Sequence, residues 1–411
     1  MQIDPRRPAA APPFAALALS LGLAACAAPP PPPDFELNPP PQAVIRAGAA
    51  QVVDAREMVV LLPGAAAAAR LRAGAAPGGF ALRGQEELPG LSLVMQRYTF
   101  PAPLTGAEAI AALERIEPSA TAGVNHAYRP AAGAAGAAGD AAAAQDAADP
   151  LDYANGMLGW AGGACAAAGP IGMLDAAVTP DLPELRGVRV ISAAFHRGPA
   201  ADIPHGDQVA AVLTDPRRLS GVTLYAAAVI GVSARGEAEA GVDDVLRGLD
   251  WMTAQGVRLV NVSLAGPYNK LLDRGVDVAR ARGVTLVAAV GNDGAAADPR
   301  YPAALGNVVA ATAVDAGGAI WDRAVRGDYV DVAAPGVDVK VRVGGREGFA
   351  TGTSIAVPFV AARIASDRGL YGAAPAAVRA ALGAEARDLG APGPDPDYGA
   401  GLLRAPRGCG G

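Results

Sequence analysis

"GTSIAVPFVAARIA", residues 352–365, is the stretch on which the reading of this sequence turns. Ser354 sits between a Gly-Thr pair and an apolar run, and Pro358 follows in the same run. Proline has no N–H, and its ring clashes with the carbonyl four residues back, here that of Ser354. Regular helix bonding therefore cannot run cleanly through Ser354, which is left at the mouth of a helix. Taken alone, Ser354 reads equally well as a favoured helix N-cap. A Ser hydroxyl becomes a nucleophile only with a base in hydrogen-bond reach. The question passes to the rest of the chain.

From about residue 151 to 405, apolar and β-branched runs alternate with helical patterns: "GPIGMLDAA", "GVRVISAAF", "VTLYAAAVI", "VDDVLRGLDWMTAQG", "VRLVNVSLAG", "VTLVAAVGN". Strands that are apolar throughout predict a sheet covered on both faces, and their alternation with helices predicts parallel βαβ crossovers. Functional groups collect at the carboxyl ends of such strands. Asp175 ends "PIGML", Asn292 ends "VTLVAAVGN", and His205 opens "HGDQVAAVL", a loop entering a helix. The types suit one chemistry. A His takes the proton of a Ser, a buried carboxylate fixes the His tautomer, and an Asn amide with a backbone N–H at a helix mouth holds an oxyanion. The other two histidines, His126 and His196, fit no such motif and read as structural or surface residues.

These segments resemble the subtilisin-like serine proteases, the subtilases. "GTSIAVP" matches the Ser motif G-T-S-x-A-x-P at every fixed position, and "HGDQVA" is similar to the His motif H-G-T-x-V-A. "PIGMLDAAV" resembles the Asp motif, and the order Asp, His, Ser is that of subtilisin. "VNVSLAG" and "AAVGNDG" resemble the two walls of the specificity pocket. The resemblance implies Asp175, His205 and Ser354 as a catalytic triad and Asn292 as oxyanion donor. It implies Ser263, Leu264, Ala265, Gly266, Ala289 and Gly291 as substrate-binding, with Ser263 to Gly266 taking substrate backbone by β-augmentation. The small apolar pocket walls favour hydrophobic side chains at P1. Many subtilases bind calcium, but no acidic cluster here marks a metal site, and no cofactor is expected.

Two departures from the family pattern bear on activity. Asp175 is followed by Ala176 and Ala177 where a hydroxyl residue and Gly are usual, and Asp207 stands where the His motif has Thr. A carboxylate beside His205 would hold the imidazole protonated and blunt it as a base. That motivates a second reading, a pseudoprotease that grips peptides without cutting them.

The N-terminal half is organised differently. Residues 1–25 read as a signal peptide: Arg6 and Arg7, an apolar run from Phe14 to Leu23, then "LAAC" ending in Cys26, which resembles a bacterial lipobox with Cys26 as the lipidated residue. Residues 26–50 are a Pro-rich tether. Residues 51–130 read as a small α+β part: strands in "EMVVLLP" and "LSLVMQRYTF", a helix over "GAEAIAALERI" and a last strand in "GVNHAYRP". By position and shape it resembles a subtilase propeptide. Residues 131–150, rich in Ala and Gly, carry no large apolar side chain and read as an exposed linker in which self-cleavage would fall.

A net charge of −6 and the lack of a basic stripe exclude nucleic acid as the main partner. Three Cys are too few for a disulfide scaffold or zinc cluster, although Cys165 and Cys409 are candidates for a pair in an oxidising compartment. The fold expected is α/β, with a mostly parallel central sheet, helices on both faces and a small α+β part before it. The protein expected is a serine endopeptidase of the bacterial cell envelope, anchored to the membrane through Cys26. Its partners would be polypeptide substrates and its own N-terminal part.

Overall fold

The computed structural model describes residues 51–131, 152–160 and 163–408. The signal segment, Cys26, the tether, the linker from 132 and Cys409 lie outside the described residues.

The N-terminal part runs β1 (Glu57–Leu62), α1 (Ala65–Ala75), β2 (Ala81–Leu88), β3 (Leu93–Thr99), α2 (Gly106–Ile116), β4 (Thr121–Val124) and β5 (Ala127–Pro130). The first four strands form an antiparallel sheet in the order β2-β3-β1-β4. Helix α2 spans the predicted residues and starts in a capping box between Thr105 and Glu108. Helix α1 and strand β2 were not predicted. The Ala-rich α1 has propensity but little apolar periodicity, and β2 is exposed except at its end.

After α3 (Tyr153–Leu158) and β6 (Cys165–Ala166), the chain forms β7 (Ile171–Asp175), β8 (Arg189–Ala194), α4 (His205–Leu213), β9 (Leu219–Ser220), β10 (Thr223–Ala228), β11 (Gly231–Val232), β12 (Ala238–Gly241) and α5 (Val242–Ala254). Then come β13 (Leu259–Val262), β14 (Leu264–Ala265), α6 (Lys270–Ala281), β15 (Thr285–Ala289), β16 (Val309–Val314), β17 (Val332–Pro335), the hairpin β18 (Val339–Val343) and β19 (Arg346–Ala350), α7 (Thr353–Ala365) and α8 (Pro375–Glu385). Seven strands make a wholly parallel sheet in the order β17-β16-β15-β13-β7-β10-β8.

The period of two along each strand divides the interior. Met173, Val287, Ala289, Val309 and Ala311 face one core with Val209 of α4 and Ile355 and Phe359 of α7. Their neighbours Leu174, Leu286, Ala288 and Ala310 face a second core with Leu246 and Leu249 of α5 and Leu272 and Val276 of α6. Both faces are covered, which is why these strands read as unbroken apolar runs. Cys165 is disulfide-bonded, with its partner outside the described residues.

The N-terminal sheet obeys the same rule. Met58, Val60 and Leu62 pack under α1 and α2. Val59, Leu61, Leu93 and Met95 pack instead into the core that holds α5 and α6. Polar contacts frame this interface. Arg197 forks onto Glu57 at 2.8 Å through both nitrogens, and Arg274 donates to Thr121 Oγ1 at 2.6 Å. At Gly90 a Cβ would come within 2.1 Å of the Asp250 carbonyl oxygen, so glycine is what allows the close approach.

The predicted last strand over 123–130 is in fact two. The chain breaks at Asn125 and His126: β4 stays in the N-terminal sheet, while β5 leaves it for the larger part. Asn125 donates to Glu57 and Asp243, and the His126 carbonyl accepts the Val242 N–H at the start of α5. His126 itself is buried. Its Nδ1 accepts from the Asn269 amide at 3.0 Å, and its Nε2 has no partner.

Burial lowers the His126 pKa to about 4. The unfolded chain binds this proton below about 6.5 and the folded chain only below about 4, so the neutral ring's share of stability is lost as pH falls through that window. Relative to His126→Gln, wild type should lose up to about 3 kcal/mol of unfolding free energy between pH 6.5 and 4. Parallel denaturant titrations of the two proteins would measure it. Taking the difference cancels the opposite slope of Asp250, whose burial raises its pKa to about 6.

Candidate active site

Asp175 is the last residue of β7 and fully buried. His205 is the first residue of α4, after Pro204. His205 Nδ1 lies 2.6 Å from Asp175 Oδ1. A carboxylate only accepts, so Nδ1 carries the proton and Nε2 is left as the basic nitrogen. Asp175 Oδ1 also accepts the Ala176 N–H at 2.6 Å, while its Oδ2 has no partner among the described residues.

Ser354 is the second residue of α7 and fully buried. The helix continues through Pro358, so the Ser354 carbonyl has no N–H to receive from that position. Ser263 supplies the donor instead: its Oγ–H gives to the Ser354 carbonyl at 2.9 Å, and Asn261 Nδ2 donates to Ser263 Oγ at 2.9 Å. Asn261 escaped the sequence reading because a polar residue inside "VRLVNVSLAG" carries no motif of its own.

Asn292 lies beside this helix mouth. Its Oδ1 accepts from Thr353 Oγ1 at 2.7 Å and from Thr353 N–H at 3.1 Å. Two donors on the oxygen fix the amide, and the Nδ2 group is buried without a partner. Thr353 in turn accepts the Gly291 N–H at 3.2 Å, and Gly291 has a φ of 97°, where a side chain is strained. Ala289 is buried at the end of β15. Among the described residues, Ser354 Oγ, His205 Nε2, Asn292 Nδ2 and Asp175 Oδ2 are buried without hydrogen-bond partners.

Strand β5 occupies this cleft. It pairs antiparallel with β12 through Ala127–Gly241 and Tyr128–Ala240, and with β14 through Arg129–Ala265 and Pro130–Leu264. Next in the chain, Ala131 donates its N–H to the Ser263 carbonyl at 3.1 Å, and its own carbonyl accepts the Ser354 N–H at 3.0 Å. Ser263, Leu264, Ala265 and Gly266 therefore all meet residues 127–131. Tyr128 is fully buried and donates its hydroxyl to the Pro267 carbonyl at 3.0 Å. A Cβ on Gly266 would fall 2.5 Å from the Tyr128 ring, so the bare backbone there makes the room.

Asp207 does not point at His205. Its carboxylate takes the Thr179 N–H at 2.6 Å and the Thr179 hydroxyl at 2.7 Å. Among the described residues, no group of three or more His, Cys, Asp or Glu is arranged to hold a metal ion.

The model of the subtilase family matches residues 196–401. This chain belongs to the subtilase family. The match begins after Asp175, whose place rests on the geometry above. The subtilase is 31% identical over 249 residues to the minor extracellular protease Epr of Bacillus subtilis, covering 57% of this chain and 37% of that protein. It is 34% identical over 166 residues to Subtilisin BL of Lederbergia lenta, covering 38% of this chain and 60% of that protein. The matched part is therefore less than two thirds of either relative. In fold, the chain is similar to fervidolysin from Fervidobacterium pennivorans, a keratinolytic enzyme related to subtilisin. The TM-score is 0.65 at 19% identity, over 84% of this chain and 60% of that one. That span is longer than residues 152–408 alone, so it takes in part of the N-terminal residues as well.

Removing the Ser263 hydroxyl should orphan the buried Ser354 carbonyl. Ser263→Ala is expected to cost about 1–3 kcal/mol in urea unfolding, and Asn261→Ala less, since it leaves the Ser263–Ser354 bond in place.

Proposed function

We propose that the protein is a serine endopeptidase that first cuts its own chain after Ala131. The observation that supports this is the Ala131 carbonyl, which already receives the Ser354 N–H at 3.0 Å at the mouth of α7. His205 Nε2 takes the proton of Ser354 Oγ as the oxygen attacks that carbonyl carbon. Asp175 holds the imidazolium that forms. The oxyanion is met by the Ser354 N–H and Asn292 Nδ2. His205 then gives the proton to the amine of Ala132, the bond between Ala131 and Ala132 breaks, and an acyl-enzyme is left on Ser354. Water, activated by the same His205, releases the Ala131 carboxylate. Chains of other proteins would follow the same path, lying along β12 and β14 as β5 does.

On this reading residues 51–131 are the subtilase's first substrate and then its inhibitor, held by the apolar face of β1 and β3. With a lipid on Cys26, the cut also separates the catalytic part from its membrane anchor in the bacterial envelope. The peptide-binding alternative rests on both altered motifs, Ala176 and Ala177 after Asp175 and Asp207 as a charge beside His205. The engagement of that carboxylate by Thr179 favours the enzyme.

Intact mass and N-terminal sequencing of wild type beside Ser354→Ala test the proposal. Wild type should yield a new N-terminus at Ala132 while the variant stays whole. If both stay whole, the peptide-binding reading takes its place. Asn292→Ala should lower kcat for a peptide substrate by about 10²–10³, read by steady-state kinetics on protein already freed of residues 51–131.

A further inference from the structure

Resting on the triad reading above, we propose that Asp207 and Thr179 form a brace that positions Asp175 against His205. The departures from the Asp and His motifs are two halves of one device. The residue that follows Asp175 cannot steady it through a hydroxyl, because it is Ala176. The loop it begins is instead fastened from its far end. Thr179 gives both its N–H and its hydroxyl to Asp207, at 2.6 and 2.7 Å. Asp207 lies in the first turn of α4, two residues after His205, and is buried.

A second, independent contact closes the same gap. A Cβ on Gly206 would lie 2.5 Å from the carbonyl oxygens of both Ala176 and Ala177. The first turn of α4 is therefore seated directly on the backbone of the loop. Val178, between the two contacts, is buried in the core with Val209. The loop from Asp175 and the helix turn from His205 are bound at Gly206 and again at Asp207. The 2.6 Å bond between His205 and Asp175 closes the third side. The two carboxylate oxygens take the two donors of Thr179 separately. The carboxylate charge also suits the positive end of a helix.

A positioning residue acts on the geometry of the reacting groups and not on substrate, so its loss should appear in kcat. Thr179→Val and Asp207→Ala should each lower kcat roughly ten- to hundredfold with KM little changed. Thr179→Ser, which keeps the hydroxyl, should restore wild-type kcat. Adding Thr179→Val to Asp207→Ala should cost nothing more. The second readout is the downfield proton resonance of His205 Nδ1–H, recorded on full-length Ser354→Ala protein. It should shift or broaden in Thr179→Val and stay in Thr179→Ser. Thermal unfolding separates this from collapse, and Thr179→Val serves if Asp207→Ala fails to fold. Unchanged kcat and an unchanged resonance in folded Thr179→Val overturn the brace and leave the triad standing. A resonance that responds in the Ser354→Ala background, while protein with Ser354 intact never cleaves, overturns the enzyme reading and leaves the brace standing.

Discussion

Everything about the cleft depends on one set of main-chain hydrogen bonds, those that seat β5 between β12 and β14. Those two strands have no ladder with each other. Each presents an open edge, and an open edge is a row of unpaired N–H and C=O groups. The chain closes both edges with its own residues 127–130. Main-chain pairing fixes direction and register, so the next carbonyl, that of Ala131, falls at the mouth of α7. The polar break at Asn125 and His126 is what releases β5 from its first sheet, and the buried amide of Asn125 is tied to Glu57 on one side and Asp243 on the other.

The larger sheet was legible in the sequence because burial on both faces leaves no polar positions to interrupt the runs. The positions of Asp175, Asn292 and Ser354 could be anticipated for the same reason: each is polar where a strand ends or a helix begins. What could not be read is which of those groups meet. The Ser263 hydroxyl under the Ser354 carbonyl joins residues far apart in the chain, and only the missing N–H of Pro358 hinted that such a donor was wanted. Asp207 misled in the opposite direction. Its closeness to His205 in sequence suggests an electrostatic conflict, yet residues two apart in a helix point about 200° from each other, and its carboxylate faces Thr179. Helix α1 and strand β2 are not legible because one is mostly Ala and the other mostly solvent-facing, so neither carries a clear apolar period. The strand over 123–130 was drawn as one because nothing local distinguishes a turn from a change of sheet.

The division of the interior into two cores sets how the parts depend on one another. Residues adjacent in sequence, such as Met173 and Leu174, belong to different cores. The second core is shared: it holds α5 and α6 and also Val59, Leu61, Leu93 and Met95 from the N-terminal sheet. That sheet buries one face under its own helices and the other only against the larger part. Taking the two apart therefore exposes apolar surface on both, and the surfaces exposed match.

The seating of β5 has a further consequence in the arithmetic of competition. A strand that belongs to the chain reaches the cleft at an effective concentration set by covalent linkage and not by the amount of protein present. Such values are of millimolar order for short connections. On the proposed reading, an incoming peptide must therefore exceed that figure in concentration, or bind correspondingly tighter, before it displaces residues 127–131. Diluting the protein leaves the balance where it was. While the chain is whole, the cleft is occupied by its own strand at every protein concentration. Once a connection is severed, the same contacts become an ordinary bimolecular equilibrium, and occupancy begins to depend on dilution.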